Sequence, residues 1–207
     1  LQGDWSSDVC SSDLDSDEAK KLIQFLKTEF DADIPDINNT GIGLKPMSAE
    51  GSKRIARAAI RYALSHNRKK VSLIHKGNIM KFTEGLFREA GYDVAEEEFN
   101  TQVFTQRQFN KIKDKEGEDA ATYAFNEANK NGLVYVDDVI ADAGLMHLTL
   151  HPERFDVLVL PNLNGDYYSD ASAGIVGGLG VAPGANRSEE HTSELQSPCN
   201  LVCRLLL

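Results

Sequence analysis

Residues 71–92 read VSLIHKGNIMKFTEGLFREAGY, and they predict a strand, a turn and a helix in immediate succession. Residues 71–74 (VSLI) are short, apolar and rich in strand formers. KFTEGLFREAGY then spaces Phe82, Leu86 and Ala90 so that one helical face can be buried, with Gly91 as its stop. The turn between them is His75-Lys76-Gly77-Asn78. Lys76 therefore stands at the carboxyl end of a strand, the edge where α/β sheets place their ligands.

On both sides of this stretch the same alternation continues. Upstream, Ser48 is a candidate N-cap for a helix through SAEGSKRIARAAIRYALSHN, with Ile55, Ala58, Ala59, Tyr62 and Ala63 on one face and basic residues on the other. Residues 31–48 carry Pro35, Gly41, Gly43 and Pro46 and read as loop or short strand. Before them, DSDEAKKLIQFLKTEF sets Leu22, Ile23, Phe25, Leu26 and Phe30 close to helical spacing. Downstream, residues 108–131 turn polar and charge-dense and read as a surface helical insertion, with a sparse apolar stripe through Phe109, Ile112, Ala121 and Phe125. A strand at 133–136 (LVYV), a helix from near Asp137, a buried strand at 155–160 (FDVLVL) and a turn PNLNGDYYSD follow. Short apolar runs alternating with amphipathic stretches, without internal repeats, predict an α/β fold.

The chemistry-bearing residues gather in the same places. Asp166 and Asp170 follow a hydrophobic strand four residues apart, so a helix starting near Asp166 projects both carboxylates from one face. Such a pair suits a hard divalent ion, because Mg²⁺ takes a few carboxylates plus water and substrate oxygens. The plainer alternative is an aspartate serving a helix N-terminus. Asp138 and Asp142 repeat the spacing on the helix expected after LVYV, where a solvated helix face is the competing reading. Lys76 can bind a carboxylate or relay protons, or can be an ordinary surface lysine. His75 reads as a packed, hydrogen-bonded histidine, and His147 and His151 have no metal-ligand spacing with a partner. The glycines between Gly174 and Gly184 follow no strand directly, which excludes a Rossmann fingerprint.

Both termini read as foreign peptide. Residues 187–197, RSEEHTSELQS, are encoded by a DNA string whose opposite strand encodes DWSSDVCSSDL, the sequence of residues 4–14. That string resembles a sequencing-library adapter, so residues 1–14 and 187–207 are expected to be translated adapter around an insert at 15–186, the alternative being a natural acidic tail. All three cysteines (Cys10, Cys199, Cys203) and Trp5 fall in these tails. The insert is cysteine-free, which fits a reducing, cytoplasmic setting. It keeps 20 basic and 26 acidic residues, a net charge of −6. That balance argues against a nucleic-acid backbone as partner, and no apolar run approaches a membrane span.

In combination, GIGLKPMSAEGSKR, VSLIHKGNIMKFTEGLFREAGY, VIADA and FDVLVLPNLNGDYYSDASAGIVGGLGVAPGAN resemble, in this order, the bacterial-type isocitrate dehydrogenases of the β-decarboxylating dehydrogenase family. The resemblance implies an isocitrate/isopropylmalate dehydrogenase-like α/β fold with two domains around a cleft, here mostly the small domain (47–175), part of an intersubunit clasp (15–46) and the start of the return to the large domain. It also implies a homodimer with shared sites, Mg²⁺ or Mn²⁺, NADP, and isocitrate as substrate. In that likeness Lys76 is the catalytic lysine, Asn78 lies near the nicotinamide end of the coenzyme, Asp166 and Asp170 bind metal, and Asp142 is the metal aspartate given to the other subunit. Met146 and His147 stand where the NADP-dependent subgroup has paired glutamines, and PNLNGD leans toward the NAD-dependent and isopropylmalate branch, so those specificities stay open. The upstream substrate-binding and downstream coenzyme segments of the family are not in the sequence, so the fragment is expected to be inactive, or only a dimerising piece.

Overall fold

The computed structural model describes residues 16–178 and Gly180. Both tails read as adapter lie outside the described residues, as does most of the glycine stretch after Gly178.

The chain divides into two units, Leu1–Pro46 and Met47–Leu207. In the first, helix α1 (Asp17–Phe30) begins where the Ser16 hydroxyl accepts the Ala19 amide, and it ends on Asp31 in a left-handed conformation at φ 51°. Its buried residues are Ala19 and Ile23, whereas Phe25 and Phe30 are exposed, so only part of the expected apolar stripe is covered. After α1, Asp36 closes a turn on the amides of Asn38 and Asn39.

The second unit holds a four-stranded parallel sheet in the order β2-β3-β1-β4, formed by β1 (Lys70–His75), β2 (Val103–Thr105), β3 (Val134–Ile140) and β4 (Val157–Val159). Around it lie α2 (Ala49–Ser65), α3 (Glu84–Glu98), α4 (Gln106–Glu116), α5 (Glu118–Lys130), α6 (Ala141–Leu150) and α7 (Asn162–Val176). Strand alternation sends side chains to two faces, and each face is closed by helices. Val71, Leu73, Val134, Val136, Val157 and Val159 meet α2 and α3 through Ala59, Ile60, Ala63, Phe87 and Val94. Ile74, Leu158 and Leu160 point the other way, into a smaller cluster with Leu148 of α6 and Tyr168 of α7. Each fully buried Ile or Leu contributes about 1.5–3 kcal/mol by leaving water. At Gly91 a Cβ would fall 2.6 Å from a Leu73 methyl, so this glycine lets α3 lie close on the sheet.

Several boundaries differ from the sequence expectation. Gly91 does not stop α3, which runs on to Glu98, and Phe82 precedes the helix and is 92% exposed. The 108–131 segment forms two helices, α4 and α5, whose Phe109 and Phe125 join a ring cluster with Phe104 and Tyr135. The Thr105 capping box fixes the start of α4. β3 continues through Asp137 and Asp138, so Asp138 belongs to a strand and not to the helix with Asp142. The reason is partnership: β3 pairs with β1 from Tyr135 to Ile140, and both aspartates find donors across that pairing. Ser72 Oγ donates to Asp137 at 2.6 Å and Lys70 reaches it at 2.8 Å. The PNLNGDYYSD segment is helical from Asn162, one turn earlier than expected, because Pro161 supplies an extended residue before the helix.

Candidate functional site

The register of β1 on β3 sets His75 beside Ile140, so the residues that follow, Lys76 and Asp142, leave the sheet at its carboxyl edge from neighbouring strands. Lys76 Nζ donates to Asp142 Oδ1 at 2.5 Å. Both groups reach solvent, with the Lys76 side chain 34% and the Asp142 side chain 70% exposed. The bond from Lys76 holds the Asp142 carboxyl below its ordinary range.

The turn after β1 is tightly made. The Lys76 carbonyl accepts the amides of Ile79 and Met80, and the Met80 carbonyl accepts that of Gly85. Glu84, at the first turn of α3 and buried, accepts the Lys76 amide at 2.5 Å and the Asn164 side chain at 3.1 Å. One carboxylate thereby holds the Lys76 backbone and the first turn of α7. Asn78 sits exposed in this turn.

His75 is fully buried and bonded, as its sequence reading expected. Its Nε2 lies 2.9 Å from Asp138 Oδ2, and its Nδ1 accepts the Gly77 amide at 2.9 Å. Tyr92 donates to the other Asp138 oxygen at 2.5 Å. Burial raises the Asp138 pKa, but the hydrogen bonds from His75 and Tyr92 outweigh it and the net displacement is downward. Burial, reinforced by Asp138, pushes the Tyr92 hydroxyl far upward.

On α7, Asp166 is the fifth helical residue and Asp170 lies one turn on. No acidic residue occupies the first turn, so the alternative that made Asp166 a helix-terminus aspartate is set aside. Their four-residue spacing keeps both on one helical face. Between them Tyr168 is buried, and its hydroxyl donates to the Ala141 carbonyl at the start of α6. Gly144 makes that contact feasible, since a Cβ there would fall 2.4 Å from the Tyr168 hydroxyl. The structure thus brings Lys76 and Asp142 together, while among the described residues no three His, Cys, Asp or Glu side chains gather as a metal site. His147 lies by the Arg154 guanidinium, 3.0 Å away. Among the described residues no helix is long and apolar enough to cross a membrane.

Glu84, Tyr92, Asn164 and Tyr168 were not singled out from the sequence. Glu84 alone left a trace there, an acid placed inside the apolar spacing of Phe82, Leu86 and Ala90.

Comparison with known proteins gives these residues a context. The family described as isocitrate/isopropylmalate dehydrogenase matches residues 25–199. The isocitrate dehydrogenase (NADP) of Staphylococcus aureus strain MSSA476 is 52% identical over 174 residues, covering 84% of this chain and 41% of the relative. The isocitrate dehydrogenase (NADP) of Archaeoglobus fulgidus is 47% identical over 171 residues, covering 83% of this chain and 38% of the relative. The crystal structure of isocitrate dehydrogenase from Methylococcus capsulatus superposes with a TM-score of 0.56 at 34% identity, over 76% of this chain and 37% of that one. The chain spans about two fifths of the length of the curated relatives it matches.

Proposed function

Because this chain belongs to the isocitrate/isopropylmalate dehydrogenase family, we propose that the whole protein oxidatively decarboxylates isocitrate to 2-oxoglutarate and carbon dioxide while reducing NADP. The observation that carries the reading is the Lys76–Asp142 pair at the carboxyl edge of two adjacent parallel strands, in a chain half identical to proteins named for that activity. In this reading the isocitrate hydroxyl gives up its proton and its carbon passes a hydride to nicotinamide. The β-carboxylate then leaves as carbon dioxide, its bonding electron pair staying on the substrate, and a proton is added at the carbon it left.

Lys76 is assigned to this proton traffic and to binding substrate oxygen, since an ammonium with rotatable donors on a fixed backbone can do both. Asn78, exposed in the same turn, is assigned to the nicotinamide side. The donor set suits Mg²⁺ or Mn²⁺, hard ions that take carboxylate oxygens. Asp166 and Asp170 would supply two oxygens from one helical face, and the exposed Asp142 of a second copy would supply the third. Such an ion acts as a Lewis acid on substrate oxygens when bound. Sharing of this kind makes the active form a homodimer. The cysteine-free stretch 15–186 agrees with a cytoplasmic protein.

The test is a steady-state assay of the full-length gene product with isocitrate, offering NADP and NAD separately and 3-isopropylmalate as rival substrate. Turnover of isocitrate with NADP that disappears on chelation and returns with Mn²⁺ is expected. Turnover of 3-isopropylmalate alone, or none of either acid, overturns the reading, and preference for NAD overturns its coenzyme part, the point at which Met146 and His147 bear on the outcome.

A further inference from the structure

We propose that Tyr92, Asp138 and His75 form a buried positioning chain that fixes the Lys76 turn, acting through an unprotonated His75 Nδ1 on the Gly77 amide; it rests on the reading of Lys76 as the catalytic lysine. Asp138 anchors the chain. An ionised carboxylate can only accept, and both its oxygens are engaged, Oδ1 by Tyr92 at 2.5 Å and Oδ2 by His75 at 2.9 Å. Both partners must therefore donate, which puts the imidazole proton on Nε2. The other ring nitrogen is left with a lone pair, and the Gly77 amide points at it from 2.9 Å.

A second protonation of the ring would set an N–H against the Gly77 N–H, so the neutral form with its proton on Nε2 is the one state compatible with all three bonds. A His75 serving only as filler does not account for this. The side chain is fully buried, yet each of its nitrogens has a directional partner, and the two partners belong to different elements, β3 and the Lys76 turn. The fit leaves little slack. A Cβ at Gly77 would lie 2.8 Å from His75 Nδ1 and 3.0 Å from the Gly85 backbone. Glu84 holds the Lys76 amide from the opposite end of the turn. Two consecutive amides, those of Lys76 and Gly77, are thus taken by two side chains, each itself 1% exposed or less. The lysine between strand and turn is aimed by its backbone, while its Nζ stays free to leave Asp142 for a substrate. His75, Asp138 and Tyr92 are accordingly positioning residues.

The experiment uses the full 207-residue chain, labelled with ¹⁵N. Long-range ¹H–¹⁵N correlation on the neutral His75 ring is expected to show the proton on Nε2 and Nδ1 bare. A ring protonated on Nδ1 overturns the proposal without any variant being made. Two substitutions then separate the hydrogen bond from the packing. His75→Leu keeps the volume and removes the acceptor, whereas His75→Asn offers an amide oxygen near the place of Nδ1. The expected outcome is that His75→Leu speeds Gly77 amide exchange at least tenfold and changes the rate of Lys76 acylation by an amine reagent, and that His75→Asn restores Gly77 exchange to within about threefold of wild type. If Gly77 exchange or Lys76 acylation is unmoved by His75→Leu, the proposal fails. If the amides of Val71 and Leu73 speed up equally, His75 serves packing alone and the proposal also fails. None of these readouts uses turnover, so a full-length protein that ignores isocitrate would remove the dehydrogenase reading and leave them standing.

Discussion

Lys76 Nζ and Asp142 Oδ1 meet at 2.5 Å although 66 residues separate them, because β1 and β3 run parallel side by side and end at the same edge. An exposed pair of this kind adds little to stability. Replacing Lys76 by Met should leave the thermal midpoint of the chain within a degree or two. In the full-length protein, if it has the proposed activity, the same change should lower kcat by about 10²-fold or more, the scale of general acid–base catalysis. Circular dichroism melting and initial rates measure the two arms, and an unchanged kcat would remove Lys76 from the proton traffic.

Metal affinity should depend on association. Lys76 occupies Asp142, and no three potential ligands gather among the described residues of one chain. Calorimetry with Mn²⁺ on dilute chain should therefore give weak binding that strengthens as protein concentration rises through any monomer–dimer transition seen by sedimentation. Asp166→Asn combined with Asp170→Asn should abolish the strengthened phase. Tight binding by a monomer would be incompatible with a ligand set divided between two copies.

Gly144 and Tyr168 form a second testable pair. Adding a Cβ at Gly144 drives it to 2.4 Å from the Tyr168 hydroxyl, which is itself bonded to the Ala141 carbonyl. Gly144→Ala should destabilise the chain by about 1–3 kcal/mol, the usual cost of overpacking. Tyr168→Phe removes the colliding oxygen along with its bond, so the double variant should be more stable than the sum of the single losses predicts. Urea unfolding of the four species gives the coupling energy, and strict additivity would mean the two residues do not compete for the same space.

How far the sequence could be read follows from which signals are local. Ser48 as an N-cap, the strand core at Val71 to Ile74 and the Lys76 turn announce themselves within a few residues, because hydroxyl caps, β-branched runs and glycine turns are local chemistry. The end of β3 does not. Asp137 and Asp138 look like helix or turn residues until Ser72, Lys70, His75 and Tyr92 are placed opposite them, and those partners lie more than forty residues away. The meeting of Glu84 with Asn164 was illegible for the same reason, since it joins elements 80 residues apart. The Asp166 and Asp170 spacing was readable, but the true start of their helix hung on Pro161 and shifted by a turn. The family resemblance bridged much of this gap, because the HKGNIMKFTEG string carries long-range information that periodicity lacks.

Acid should loosen the molecule, with two partly buried carboxylates among the groups responsible. Burial raises the Glu96 pKa, but bonds from Arg107 and Thr105 outweigh it, and the net is a value below the ordinary 4.5. Asp138 behaves likewise, burial opposing and the His75 and Tyr92 bonds prevailing, so that it falls below 3.8. A group whose pKa is depressed in the folded state binds fewer protons there than in the unfolded chain over that interval. Its contribution is therefore complete above the unfolded value and is lost as pH falls through the folded one. Equilibrium unfolding in urea should show stability declining from about pH 4.5 downward, with Glu96 entering the decline first. Glu96→Gln removes the titrating group, so the variant should be less stable than wild type at pH 7 and should lose less on acidification, the two curves converging toward pH 3. If the curves instead stay parallel across that interval, Glu96 is not held ionised by Arg107, and the bridge from α3 to α4 has to be credited to packing alone.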